Sequence, residues 1–279
     1  MNYQNYKSNC HTHSVFCDGI NTIEDMAKEA YERGFYSLGF SGHSPLPYEN
    51  DWAMKHNELG NYINKVLAVK EKYKGQMDVI CGIELDFDSR DIDLTPFKYI
   101  INSIHTLNYK GHQIPIDTSA ALWKAGVETC FDGNMMTAIR EYYDQAYKSA
   151  IRKEGNIAGH FDLVTKFNHV ENFFDQHSAE YLNIAKEAID GVCDMHSDII
   201  FEVNMGALPR TGKKTPYPQD ELLCHLNNRG ARVTVTSDCH DSRFLEIGYD
   251  IAFDAIRRAG FKSVWIISEK GFEEISIGE

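Results

Sequence analysis

Two histidines, His11 and His13, stand two residues apart in the run Asn9-Cys10-His11-Thr12-His13. In an extended chain that spacing sends both side chains off the same face. A strand end can therefore aim both imidazoles at one point. Asp18 follows on a loop, with Gly19 free to turn the backbone. Imidazole nitrogens combined with a carboxylate suit Zn, Mn or Fe. A lone His-x-His is more often a surface pair, so the weight rests on what the other strand ends carry.

They carry more of the same chemistry. Short apolar runs at 35–40, 77–83, 99–104 and 231–236 end on His43, Glu84, His105 and the Asp238-Cys239-His240 triplet, and His160 follows a shorter run at 156–159. Asp238 and His240 repeat the two-residue spacing of His11 and His13. At about four to six donors per ion, the nine groups His11, His13, Asp18, His43, Glu84, His105, His160, Asp238 and His240 suit two or three ions. Glu84 is the candidate bridge, since a carboxylate can give one oxygen to each of two ions. Singly, each has a plainer role: a packed histidine, a helix cap, an ion-pair partner. His56, His112, His169, His177, His196 and His225 are assigned to solvent or packing. Asp86, Asp88 and Asp162 neighbour ligands and are read as partners that orient imidazoles, or as exposed loop carboxylates.

The elements that must position these groups alternate. Thr22 caps a helix with a stripe of Ile23, Met26, Ala27 and Ala30, closed at Gly34. Further helices are expected at 57–74, 134–153, 178–195, 219–228 and 243–258, a small hairpin at 108–116 around Lys110-Gly111, and a last strand at 264–267. Strand–helix alternation predicts parallel strands with crossover helices, and nearly all-apolar strands indicate a sheet covered on both faces. An open doubly wound sheet and a closed barrel both fit. Ligand candidates after nearly every strand favour the barrel, which gathers its strand ends around one axis.

Composition bounds the rest. The 279 residues, 43% hydrophobic, are expected to form one domain, 1–279, with a sizeable core. A net charge of −13 without a Lys/Arg stripe argues against a nucleic-acid surface. No apolar run is long enough for a bilayer. The first seven residues lack the pattern of a signal peptide, so a cytoplasmic protein is expected. Seven unclustered cysteines do not suggest a disulfide framework, and Cys10, Cys17 and Cys239 are read as small buried thiols.

The motifs His11-Thr12-His13 with Asp18-Gly19, Ser41-Gly42-His43, Gly82-Ile83-Glu84, Ser103-Ile104-His105, Gly159-His160 and Ser237-Asp238-Cys239-His240 resemble those of the PHP (polymerase and histidinol phosphatase) superfamily. The segment Glu202-Val203-Asn204-Met205-Gly206, Arg210 and Pro216-Tyr217-Pro218 resemble its histidinol-phosphate phosphatase branch. The resemblance implies a distorted (β/α)7 TIM-like barrel with a trinuclear site of Zn, Mn or Fe at the C-terminal strand ends. It implies that His11, His13, Glu84 and Asp238 hold one ion, Glu84, His105 and His160 a second, and Asp18, His43 and His240 a third.

The activity so implied is hydrolysis of a small phosphate monoester, L-histidinol phosphate, in histidine biosynthesis. Such esters hydrolyse extremely slowly unaided. Clustered divalent ions make a hydroxide available at neutral pH for in-line attack and polarise the phosphoryl oxygens. Arg210, on a loop after a strand end, offers phosphate a planar fork. Lys166 is a second candidate, although relatives often carry Arg near this position. Lys213 and Lys214 are read as solvated loop charges. Asp18 or His240 is expected to help the leaving oxygen through its ligand environment. Trp52 and Tyr217 are placed on loops at the mouth. Two alternatives stay open: another ester (nucleotide, sugar or phosphotyrosine), and a non-catalytic module stabilised by metal. A substrate panel separates the first, and chelation with reconstitution the second. Oligomeric state is not legible.

Overall fold

In the computed structural model, which describes residues 6–278, the apolar runs become short parallel strands with helices between them. The chain runs β1 (Ser8–Asn9), α1 (Ile23–Glu32), β2 (Ser37–Phe40), α2 (Leu59–Tyr73), β3 (Asp78–Asp86) and β4 (Tyr99–Ser103). The hairpin β5 (Thr106–Tyr109) and β6 (His112–Pro115) follows, then α3 (Ala120–Phe131), α4 (Met135–Ala150), β7 (Ile157–Ala158), α5 (Asn168–Glu171) and α6 (Ala179–Met195). The last third holds β8 (Ile200–Asn204), α7 (Ala207–Thr211), α8 (Asp220–Asn228), β9 (Arg232–Thr236), α9 (Tyr249–Arg258), β10 (Ser263–Ser268) and β11 (Gly271–Ser276).

Seven strands pair in the order β1-β2-β3-β4-β7-β8-β9, each pair parallel. The sheet curls until its outer strands meet: Thr12 bridges Cys239, with His13 N donating to Cys239 O at 2.8 Å and Cys239 N to His11 O at 3.0 Å. The result is a nearly closed seven-stranded α/β barrel, as expected from the strand-end ligands. The seam between β1 and β9 closes at the C-terminal rim, where the candidate ligands lie.

The barrel interior is small and apolar. Cys10, Ile80, Tyr99, Ile101, Ile157 and Ile200 pack with Ile267 of β10, against partly buried Trp265 and Phe272. The antiparallel β10–β11 pair thus lies over the N-terminal mouth instead of extending the sheet. Tyr99 fills the centre, fully buried, its hydroxyl donating to Cys10 O at 2.5 Å. It needs the missing side chains of β2 and β3: a Cβ at Gly39 would lie 2.3 Å from its hydroxyl oxygen, and one at Gly82 2.3 Å from its ring. Gly82→Ala is therefore expected to lower folding stability by about 1–3 kcal/mol through overpacking. Urea unfolding checks this, and an unchanged midpoint would mean the barrel accommodates the methyl group.

Several expectations are corrected. Helix α3 was not foreseen; it buries only the narrow stripe Trp123, Val127 and Phe131, while Leu122 stays 47% exposed. The expected helix at 243–258 is a 3-10 turn at Ser242–Phe244 and then α9, because Gly248 takes φ +70° and breaks the run. Strand β3 does not stop at Glu84 but continues to Asp86. Strand β11 was also missed. Among the described residues no helix is long and apolar enough to cross a membrane.

Candidate metal centre

At two places on the rim, backbone pairing ties ligand candidates of neighbouring strand ends together. The rim bridge fixes His11 and His13. His43 bridges Glu84, with Glu84 N donating to Gly42 O at 3.2 Å and Ser44 N to Glu84 O at 2.9 Å. Asp18 is carried by a tight turn in which Cys17 N and Gly19 N both donate to Ser14 O. A Cβ at Gly19 would sit 2.5 Å from Ser14 N, so this turn requires glycine. Asp238 takes φ +46°, an uncommon conformation for a side-chain-bearing residue and one often seen where function constrains the backbone.

The nine groups converge. Around Glu84 Oε2 stand His11 Nε2 at 3.3 Å, His13 Nε2 at 3.7 Å and His43 Nδ1 at 2.7 Å. Asp238 Oδ1 faces the same two nitrogens, at 3.7 Å from His11 and 3.2 Å from His13. The other Glu84 oxygen, Oε1, lies 3.4 Å from His105 Nε2 and 2.9 Å from His160 Nε2. Asp18 Oδ1 is 3.5 Å from His43 Nε2 and 3.1 Å from His240 Nε2. The rings overlap, with centroids 3.9 Å apart for His13–His240 and 4.3 Å for His13–His43.

Electrostatics shows what this cluster favours. Burial alone pushes the Asp18, Glu84 and Asp238 carboxyls up, but nearby imidazoles, and Arg210 beside Asp238, outweigh it and hold all three below the usual range. Burial pulls His11 and His105 down, yet the carboxylates facing them drive both above the ordinary imidazole value. His13 is held low by burial and by His240 and His43. Ionised carboxylates in a desolvated pocket call for positive charge. His11 Nε2, His13 Nε2, His43 Nδ1 and Glu84 Oε2 are buried without a hydrogen-bond partner and face one another. Buried polar atoms are rarely left so, and divalent cations satisfy nitrogen and carboxylate lone pairs together. Three subsets bring donor atoms within 4.8 Å of one another: His13, Asp18, His43 and His240; His11, His13 and Glu84; His43, Glu84 and His105. The residues fit metal. The Cys10, Cys17 and Cys239 thiols are pushed up to about 12, chiefly by burial.

Behind the ligands, Asp86 Oδ2 pairs with His105 Nδ1 at 2.9 Å, the orienting role expected of it. Asp88 and Asp162 do otherwise: Asp88 accepts from Asn108, and Asp162 from the backbone of Gln219. One buried carboxylate was passed over. Glu202 lies fully buried in β8, beneath His11. Its signal was legible, since a glutamate inside the run Ile199-Ile200-Phe201-Glu202-Val203 is costly unless paired.

A cavity of about 550 Å³ opens above the cluster, lined by Trp52, Asp117, Lys166, Arg210, Tyr217 and six of the nine groups, Asp18, His43, His105, His160, Asp238 and His240. Arg210 sits on α7 and not on a loop as expected. Its Nε donates to Gly206 O at 2.9 Å and NH2 to Asp238 Oδ2 at 2.7 Å, with NH1 3.2 Å from His240 Nδ1. Lys166 Nζ is 3.2 Å from Asp117 Oδ2. Trp52 meets His43 edge-on at 4.8 Å. Lys213 is not solvated: only 3% exposed, it donates to Thr215 O and Pro216 O and lies 4.2 Å from the centre of the Tyr217 ring. Burial pulls it down to about 8.

A parallel barrel with imidazoles and carboxylates at its C-terminal rim defines a class, and the chain belongs to the PHP family, whose domain model matches residues 9–205. Among curated relatives it is similar to a probable histidinol-phosphatase of Schizosaccharomyces pombe, 27% identical over 94% of this chain and 89% of that one. It is similar also to the histidinol-phosphatase of Bacillus subtilis, 26% identical over 87% and 96%. Among solved structures, the histidinol phosphate phosphatase of Lactococcus lactis, complexed with zinc, L-histidinol and phosphate, superposes with a TM-score of 0.72 at 20% identity, covering 96% of this chain and 98% of that one.

Proposed function

We propose that this protein is a metal-dependent phosphomonoesterase that hydrolyses L-histidinol phosphate to L-histidinol and phosphate. The observation that carries the reading is the convergence of nine metal-type donors beside a cavity whose wall also holds Arg210 and Lys166. Curated relatives over nearly the full length bear the name of that activity.

In this reading His11, His13, Glu84 and Asp238 hold one divalent ion, Glu84, His105 and His160 a second, and Asp18, His43 and His240 a third. The separations above support that grouping, and zinc is the first metal to try, given the Lactococcus lactis complex. Bound ions supply a lowered water pKa and charge for the phosphoryl oxygens. The chain supplies the rest. Arg210 keeps NH1 at the cavity edge while NH2 holds Asp238, so its fork can meet a phosphate oxygen without leaving the site. Lys166 adds a point charge, tempered by Asp117. Trp52 screens His43 and His105 from water. Asp18 and His240, 3.1 Å apart, are proposed to steady the leaving oxygen.

The test is a panel of esters assayed with reconstituted protein. L-histidinol phosphate should give the highest kcat/KM; a nucleotide, sugar or phosphotyrosine ester that surpasses it by orders of magnitude would reassign the substrate. Arg210→Ala should lower kcat/KM by about 10²-fold with metal content kept. An unaffected kcat/KM places the phosphate contact elsewhere.

A further inference from the structure

We infer that Glu202 is a positioning residue of the metal centre: it fixes the His11 tautomer and ties His11 to His160, ligand candidates of two different ions. The inference rests on the metal-centre reading above.

Along β8 the inward row is Ile200, Glu202, Asn204, so period-two alternation places a carboxylate between the apolar barrel floor and the rim. Glu202 is fully buried and three groups from three other parts of the barrel meet it. His11 Nδ1 lies 2.5 Å from Oε1, and the Thr236 hydroxyl donates to the same oxygen at 2.6 Å. The His160 backbone N–H donates to Oε2 at 2.7 Å. A backbone N–H and, beside an acceptor-only carboxylate, the ring nitrogen and hydroxyl all present hydrogens. His11 therefore carries a hydrogen on Nδ1, which leaves Nε2, facing Glu84 Oε2 and Asp238 Oδ1, as the nitrogen that would meet a bound cation. The same carboxylate anchors the backbone of His160, whose Nε2 reaches the far oxygen of Glu84. Carboxylates behind ligating imidazoles are typically worth 10–100-fold in metal affinity.

Glutamine cannot replace this. Its one carbonyl oxygen can serve His11 and Thr236, but its NH2 then points at the His160 N–H, donor against donor. Glu202→Gln in the full-length, metal-stripped protein should bind zinc about 10–100-fold more weakly than the wild type in competition with a chromophoric chelator. The melting temperature of the stripped variant should change far less than that of its zinc-loaded form. Superimposable zinc isotherms for a folded variant would overturn the inference. Should the variant not fold, the wild type decides: in zinc-loaded protein, imidazole 1H–15N spectra should show a His11 Nδ1–H protected from exchange. An unprotonated His11 Nδ1 refutes the role. A wild type that binds no zinc overturns the metal centre itself and this inference with it, whereas normal wild-type binding matched by the variant overturns Glu202 alone.

Discussion

Glu84→Gln should reduce turnover of L-histidinol phosphate by at least about 10²–10³-fold, the range for removing one key electrostatic group, and should lower bound metal by at least one ion per chain. The expectation follows from geometry. Glu84 is 1% exposed, and its two oxygens face His11, His13, His43, His105 and His160 at 2.7–3.7 Å. Among the described residues no other carboxylate in the cluster faces so many imidazoles: Asp18 and Asp238 face three each. Glutamine keeps the shape but gives up the charge and one acceptor, and its NH2 would point a donor into a space built for cations. Elemental analysis alongside steady-state kinetics reads both quantities. Full metal content with wild-type turnover would remove Glu84 from the bridging position.

Metal removal should cost stability as well as activity. Stripped of cations, the cluster retains the buried carboxylates of Glu84 and Asp238 and the more exposed one of Asp18, compensated by imidazoles and Arg210. Ions that bind only the folded chain stabilise it by about 4 kcal/mol when present at a thousand times their dissociation constant. A protein of this size gains about 2–4 °C per kcal/mol, so chelation should lower the melting temperature by roughly 10 °C. Readdition of zinc should restore it together with phosphatase activity. A melting curve insensitive to chelator and metal would mean that the cluster is balanced by its own imidazoles. Stability restored without phosphatase activity would favour a metal-stabilised module.

Local sequence determined much of this protein. Short apolar runs alternating with capped amphipathic stretches define parallel strands and crossover helices, because burial on both faces demands apolar side chains throughout and helix ends demand polar caps. Thr22 does cap α1, accepting from Asp25 N. The ligand candidates were legible for a related reason: most stand within a few residues of a strand's C-terminal end, Glu84 near the end of β3 and Asp18 on the loop after β1, and a barrel brings strand ends together wherever they fall in the chain. Tertiary structure decided what depends on neighbours distant in sequence. Glu202 became a partner of His11 only because β8 and β1 approach each other across 191 residues. Lys213 looked like a loop charge until the fold buried it against Tyr217, and the last strand expected at 264–267 pairs antiparallel with β11 and lies over the floor, which its sequence did not indicate. Periodicity and capping act over one turn or one strand, whereas the pairing of a buried charge, or the edge a strand joins, is set by whichever element the closed barrel places beside it.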